Sequence, residues 1–289
     1  MGVGGRWLAA AVLSSLSIAV SSDAARVNPL ASIKTWAVYY GEAPETAATL
    51  ARFDLVVLDA TRRPPLPEVK RFGALVLAYA SLGEINVHHP RYAEVKDAPW
   101  VLGANPQWPD ARKLDPRDPA YARWLLDGVV ADALAAPVHG VFLDTADTVL
   151  ELEATEPARF AGAGAALERV VRELRARHPQ ALVVLNAGLP IAARVGAVLD
   201  GVALESVWTD YDFAAKRYLR RDAAAAAARA ASLSAVARAG VRGLVLEYTD
   251  GDDGAWTAEL LGRARGRGFV PYVSTIALDR VFTSSLGTR

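Results

Sequence analysis

Acids and amides recur in this sequence at one kind of place, directly after a short apolar run. In GVFLDTADT, residues 140–148, Val141-Phe142-Leu143 delivers Asp144, with Asp147 just beyond; LVVLDA ends on Asp59, LAYASLGE on Glu84, LVVLNAG on Asn186, GVALES on Glu205 and GLVLEYTD on Glu247. A polar group left unpartnered after such a run costs on the order of 2–7 kcal/mol if buried, so each should face water, a partner or a reacting group. Two chemistries suit clustered carboxylates: divalent-metal binding, and glycoside hydrolysis by a pair of carboxyl groups that flank the scissile bond. Catalytic metal sites in barrels commonly recruit histidine as well. His88, His89, His139 and His178 all fall away from strand ends, and His88-His89 reads as a plain loop pair, so no metal or other cofactor is expected.

The elements that must position these acids follow a strand-helix rhythm. Apolar or β-branched runs stand at Thr35–Tyr40, Leu55–Leu58, Leu75–Tyr79, Val141–Leu143, Leu182–Leu185, Gly201–Leu204, Leu244–Glu247 and Phe269–Ser274. Between them, helical patterns are predicted over Pro44–Arg52, Glu68–Phe72, Pro119–Leu134, Pro157–His178, Ile191–Val195, the alanine run that reaches Ala239, and Trp256–Arg265. Continuous rather than alternating apolar strands mean parallel strands buried on both faces. Eight such units in about 250 residues predict a single (β/α)8 barrel, whose catalytic groups gather at the C-terminal strand ends. An open doubly wound sheet is the alternative, but the glycine fingerprint after its first strand is missing, because Gly41 stands alone.

At those ends lie Asp59, Glu84, Asp144, Asp147, Glu205, Glu247 and Asp250, with Asn186 and Tyr272 among them, and no lysine. That argues against Schiff-base chemistry and against a phosphate site. Tyr39, Tyr79, Trp208, Tyr211 and Trp256 stand near the acids and could stack on sugar faces. Asp59, Glu84 and Glu247 are equally readable as partners of loop groups such as Arg62 or Arg63. Asp250, Asp252 and Asp253 read as a solvated turn rather than a calcium loop. The proline-rich stretch from Asn86 to Pro119 breaks the rhythm and reads as a functional loop or lid.

Composition sets the outer limits. The 289 residues carry 32 Lys+Arg against 32 Asp+Glu, so no overall basic field draws the chain to nucleic acid or anionic lipid. There is no cysteine, which removes disulfides, thiolate metal sites and a cysteine nucleophile. Arg6, the apolar stretch Trp7 to Val20 and the small residues of SSDAA read as a secretory leader over residues 1–25, too short and serine-diluted for a membrane span of about 20 residues. A secreted or periplasmic monomer with its catalytic domain over residues 34–289 is the expectation.

The runs WAVYYG, LAYASLGEIN, VFLDT, LNAG, ALESVW, LEYTD and PYVST together resemble the glycoside hydrolase family of endo-α-1,4-polygalactosaminidases, to which the N-terminal hydrolase domain of the Pel polysaccharide protein is related. The likeness spans residues 34–279. It implies a (β/α)8 fold and hydrolysis of α-1,4-linked galactosamine or N-acetylgalactosamine polymers, without the deacetylase part of the Pel protein. The family's catalytic aspartate after strand four matches Asp144 and its glutamate after strand six matches Glu205. We therefore expect Asp144 as nucleophile and Glu205 as general acid/base, or the reverse, with retention of configuration. Tyr39, Asp59, Tyr79, Glu84, Asp147, Asn186, Trp208, Glu247 and Tyr272 are the expected lining of an acidic site for an amino-sugar polysaccharide. A polysaccharide-binding barrel without activity and a metal-dependent hydrolase of another polar substrate are the competing readings.

Overall fold

A computed structural model describes Met1 and residues 28–62, 69–70, 73–238, 240–251 and 253–286. The expected leader beyond Met1, most of the expected helix over 68–72, Arg63, Asp252 and Ala239 lie outside the described residues.

In chain order the strands are β1 (Trp36–Tyr39), β2 (Leu55–Leu58), β3 (Leu75–Ser81), β4 (Glu84–Asn86), β5 (Val101–Ala104), β6 (Ala111–Leu114) and β7 (Gly140–Asp144). They continue as β8 (Leu182–Asn186), β9 (Gly201–Glu205), β10 (Thr209–Asp212), β11 (Arg217–Arg220), β12 (Arg242–Tyr248) and β13 (Val270–Ser274). Eight of them form one parallel sheet in the order β1-β2-β3-β7-β8-β9-β12-β13. The two outer strands lie against each other, and the Tyr40 amide donates to the Leu278 carbonyl at 2.8 Å, so the sheet rolls into the expected (β/α)8 barrel. Every residue of β1, β2, β8 and β13 is buried, as strands covered on both faces require.

Helices fill the crossovers. Asp118, Asp222 and Asp253 cap three of them, each side chain accepting from backbone amides in the first turn, and Pro119 takes the first helical position where no donor is needed. Two expected helices are broken. The stretch from Pro119 runs as helix Pro119–Trp124, a wider turn Leu125–Val130 and helix Ala131–Ala135. The stretch from Pro157 stops at Phe160 and restarts as Ala163–Arg177 after Gly162, whose φ of 83° interrupts any helix. Glu153 accepts from the amides of Gly162 and Gly164 at 2.7 and 2.9 Å, which caps the restarted helix.

Two excursions depart from the strand-helix rhythm. The stretch after Asn86 is no bare loop: β4, β6 and β5 form a small antiparallel sheet there, with helix Tyr92–Val95 beside it. After Glu205 the chain folds into the antiparallel hairpin β10–β11. Both leave from C-terminal ends of barrel strands and so stand on the same face of the barrel as the strand-end acids.

Candidate active site

Register decides which side chains share the barrel mouth, because residues paired in a sheet point to the same face. Tyr79 pairs with Phe142, two residues before Asp144, while Asn186 pairs with Ala203, two before Glu205, and Glu205 pairs with Leu246, two before Tyr248. Asp59 follows Leu58, the partner of both Tyr39 and Ala78, so Tyr40, Asp59 and Tyr79 also share that face.

Asp144 and Glu205 meet through one amide. The Asn186 Nδ2 group donates to Asp144 Oδ1 at 2.7 Å and to Glu205 Oε1 at 2.7 Å. Two bonds of that length from a single nitrogen hold these carboxylate oxygens within about 5.4 Å of each other. Tyr248 Oη donates to Glu205 Oε2 at 2.6 Å, and the Tyr79 hydroxyl and Thr145 amide bond to Asp144. The Tyr40 and Tyr79 rings stand edge to face, 5.2 Å apart.

Electrostatics divide the two acids. Burial pushes both carboxyls up, and the Asp144 charge pushes Glu205 further, to about 7. Donors pull both back, Asn186, Thr145 and Tyr79 at Asp144 against Tyr248 and Asn186 at Glu205, and the additional donor favours the anion at Asp144 and the proton on Glu205. Burial raises the hydroxyls of Tyr40, Tyr79 and Tyr248 well above the ordinary tyrosine value, and surrounding carboxylates raise them further. The mouth therefore gathers part-buried carboxylates among neutral phenols.

Backbone strain marks the same three positions. The residue directly after each of Asp144, Asn186 and Glu205 is a non-glycine in the left-handed region: Thr145 at φ 61°, Ala187 at 54° and Ser206 at 51°. Each such residue costs about 1–2 kcal/mol. Neighbouring strands hold the kinks: Leu82 N donates to Asp144 O, Ala187 N to Ala203 O and Ser206 N to Leu246 O, at 2.8 to 2.9 Å. The Thr145 hydroxyl meets Ser81 Oγ at 2.7 Å and accepts from Gly83 N at 2.8 Å; a side chain at Gly83 would strike the Thr145 carbonyl.

The remaining expected lining residues divide. Asp59 is half-buried, accepting from the Thr61 amide and hydroxyl, with Arg62 at 3.5 Å. Glu84 is buried and accepts from Thr148 Oγ1 at 2.7 Å and Asn105 Nδ2 at 2.8 Å, and its charge reaches Asp144. Asp147 stands at the start of helix Ala146–Thr155 with a solvent-open surface, its carboxyl raised by the surrounding walls and then by Asp144.

Four expectations are corrected. Tyr39 points to the opposite face of β1, where its hydroxyl accepts from Ala43 N at 3.0 Å; the next residue, Tyr40, holds the site position. Glu247 likewise faces away, accepting from the amides of Val207, Trp208 and Thr209 and from the Thr209 hydroxyl at 2.6 to 3.3 Å. Trp208 is buried in the outer core beneath the Arg267 guanidinium. Tyr272 is fully buried edge-on to Trp36 and Phe53, and its hydroxyl accepts from Phe282 N.

Of the other motifs, Trp256 is core under Arg220, and Asp253 caps helix Gly254–Arg265. His139 accepts from Val76 N, and His89 from Arg91 N. Among the described residues no group of three or more His, Asp or Glu side chains is arranged to hold a metal ion. Tyr40 and Tyr248 escaped the sequence reading: β1 is buried along its whole length, so nothing within that run shows which tyrosine faces the mouth, and β12 runs on past Glu247 to Tyr248.

The model of glycoside-hydrolase family GH114 matches residues 17–288. The chain belongs to this family. It is a glycoside hydrolase. Among solved structures it is similar to the glycoside hydrolase domain of PelA from Pseudomonas aeruginosa, at 27% identity and a TM-score of 0.77 over 86% of this chain and 97% of that one. The fold is shared with Aspergillus fumigatus Ega3 in complex with galactosamine, at 14% identity and a TM-score of 0.66 over 85% and 92% of the two chains. It is also shared with an α-galactosidase from Thermus thermophilus, at 14% identity and a TM-score of 0.56 over 85% and 59%. No curated protein sequence matches the chain. Among the described residues no helix is long and apolar enough to cross a membrane.

Proposed function

We propose that this GH114 member cleaves α-1,4-linked galactosamine or N-acetylgalactosamine polymers with retention, Asp144 acting as nucleophile and Glu205 as general acid/base. The observation that carries the mechanism is the single Asn186 amide bonded to both carboxylates. Carboxylate oxygens held no more than about 5.4 Å apart by one amide favour the short carboxyl spacing of retaining enzymes, about 5–5.5 Å, over the roughly 6.5–9.5 Å of inverting ones.

Protonated Glu205, held to about 7, gives its proton to the glycosidic oxygen while the Asp144 carboxylate attacks the anomeric carbon. The glycosyl ester then forms and the leaving sugar departs with a hydroxyl. Glu205, now charged, takes a proton from water, which attacks the ester and frees Asp144. The Asn186 and Tyr79 donors stabilise the departing Asp144 anion at the end of that step.

Substrate choice is argued from charge. Burial first, and then Tyr79, Asp144, Glu205 and Asp59, raise the hydroxyl of Tyr40, so three carboxylates act on this ring at the mouth. Their field favours a protonated 2-amino sugar over a neutral one. The galactosamine bound to Ega3 in its solved complex supports the same class. Export through the leader of residues 1–25 accompanies this proposal, read from Arg6, the apolar stretch Trp7 to Val20 and the small residues of SSDAA.

The test incubates the protein with galactosamine-rich, N-acetylgalactosamine-rich and neutral glucans and follows product release, with the anomer of the first product read by proton NMR. Oligomers from an amino-sugar polymer, lost in both Asp144→Asn and Glu205→Gln, are expected. Cleavage of neutral glucan alone, or undiminished cleavage by both variants, refutes the proposal.

A further inference from the structure

The hairpin β10–β11 and the turn between β5 and β6 carry aromatic rings that the two-carboxylate chemistry does not use. Trp108, 48% exposed, meets Phe213, 37% exposed, edge to face at 5.4 Å. Phe213 meets Tyr211 at 5.0 Å, and Tyr211 meets Tyr218 at 4.9 Å. Tyr218 in turn accepts from Ile276 N, just beyond β13, at 3.1 Å. A run of four rings thus links the excursion after β3, the excursion after β9 and the segment after β13, all on the C-terminal face of the barrel. Apart from Met1 and Leu219 of the same hairpin, Trp108 and Phe213 are the large apolar side chains standing exposed among the described residues.

Core packing does not explain two exposed rings. Two exposed rings in contact form an apolar patch rather than singly scattered surface residues, and such a patch can mark an interaction site. Both are tied to the candidate site. Asn105, at the start of the Trp108 turn, donates to Glu84, whose charge reaches Asp144. The Phe213 hairpin begins four residues after Glu205, and Arg221 at its far end donates to the Ser206 and Thr209 carbonyls.

Resting on the reading of the site given above, we propose that Trp108 and Phe213 form a distal sugar platform that holds a further unit of the same amino-sugar chain, several residues from the bond being cut. A pyranose lays its C–H face on an aromatic ring, and a protonated amino group within about 6 Å of the ring centroid adds cation–π attraction. That combination suits a galactosamine unit better than a neutral hexose. The platform makes the enzyme prefer long chains over short ones.

The experiment compares the ratio of kcat/KM for long over short galactosamine oligomers in the wild type, Trp108→Ala, Phe213→Ala, Trp108→Phe and Phe213→Tyr. In parallel, calorimetry measures binding of the same oligomers to the Asp144→Asn protein with and without Trp108→Ala, so that binding is read even if cleavage fails. We expect the ratio and the long-chain affinity to fall about 5- to 30-fold in the alanine variants and to be largely restored when a ring is kept. An unchanged ratio and affinity overturn the platform even where cleavage itself stands. Calorimetric binding that depends on Trp108 without any cleavage overturns the catalytic reading and leaves the platform. No binding of any oligomer overturns both, and a concentration-dependent sedimentation shift lost in Trp108→Ala assigns the rings to a second copy of the chain instead.

Discussion

Glu205 is the residue at which function and stability should pull hardest against each other. Its carboxyl rises from 4.5 to about 7, first because it is buried and then because Asp144 stands beside it. The folded protein thus holds this proton more tightly than the unfolded chain, and stability declines as pH climbs from 4.5 through 7. Above pH 7 the full penalty is present, on the order of 3 kcal/mol from a shift of that size. Glu205→Gln removes the charge and little else. Its Oε1 still accepts from Asn186 and its amide can donate to the Tyr248 oxygen, as a protonated Glu205 would, so that only the Tyr248 O–H gives up its acceptor. The variant should melt higher than wild type by about 5 °C or more at pH 8, at roughly 2–4 °C per kcal/mol. The gap should close below pH 4.5, where the wild-type residue is protonated in both states. Calorimetric melts of both proteins across pH 4 to 8 check this. A gap that is constant with pH, or a variant that melts lower at pH 8, refutes the claim that the fold holds Glu205 against its charge.

Activity should follow a bell in pH: the alkaline limb of kcat/KM falls near 7 as Glu205 loses its proton, and the acid limb lies above the ordinary aspartate value because burial raises Asp144. Asn186→Ala deletes a charge-assisted donor from each acid, so both limbs should move up by about one unit or more in a rate-pH profile; an unmoved profile denies Asn186 its bridging role. Tyr79→Phe should lower kcat roughly 10- to 100-fold, while Tyr39→Phe, one strand face away, should cost thermal stability and leave kcat in place. Glu247→Ala leaves the amides of Val207, Trp208 and Thr209 without their acceptor and should destabilise the protein by about 3 kcal/mol or more, at about 1–3 kcal/mol for each orphaned donor, read from a denaturant midpoint.

The barrel was legible because its strands are uninterrupted apolar runs, and Asp144, Asn186 and Glu205 were legible because each closes one. What sequence concealed was facing. Tyr39 and Tyr40 are adjacent tyrosines, and the face each occupies depends on the pairing of β1 with β2, which no local pattern of four buried residues reveals. Glu247 has the same motif as Glu205, an acid at the end of an apolar strand, yet its parity turns it outward. The small sheet β4-β6-β5 and the hairpin β10–β11 were hidden for another reason: their strands have three or four residues, half-exposed, with prolines or charges between them.

That outward turn gives Glu247 a role that explains why a buried acid is kept there. Ser206 lies in the left-handed region with no glycine to relieve it, and the three amides that follow it converge on one carboxylate. A neutral side chain would offer weaker bonds to those donors, and the strained turn would then relax toward ordinary backbone geometry. Since Glu205 is the residue before that turn, relaxation would swing its carboxyl away from the Asn186 amide. On the proposed mechanism, the acid on the outer face of β12 is thus expected to hold the turn that positions the acid at the mouth, so that two carboxylates with the same sequence signature would serve one site from opposite sides of the sheet.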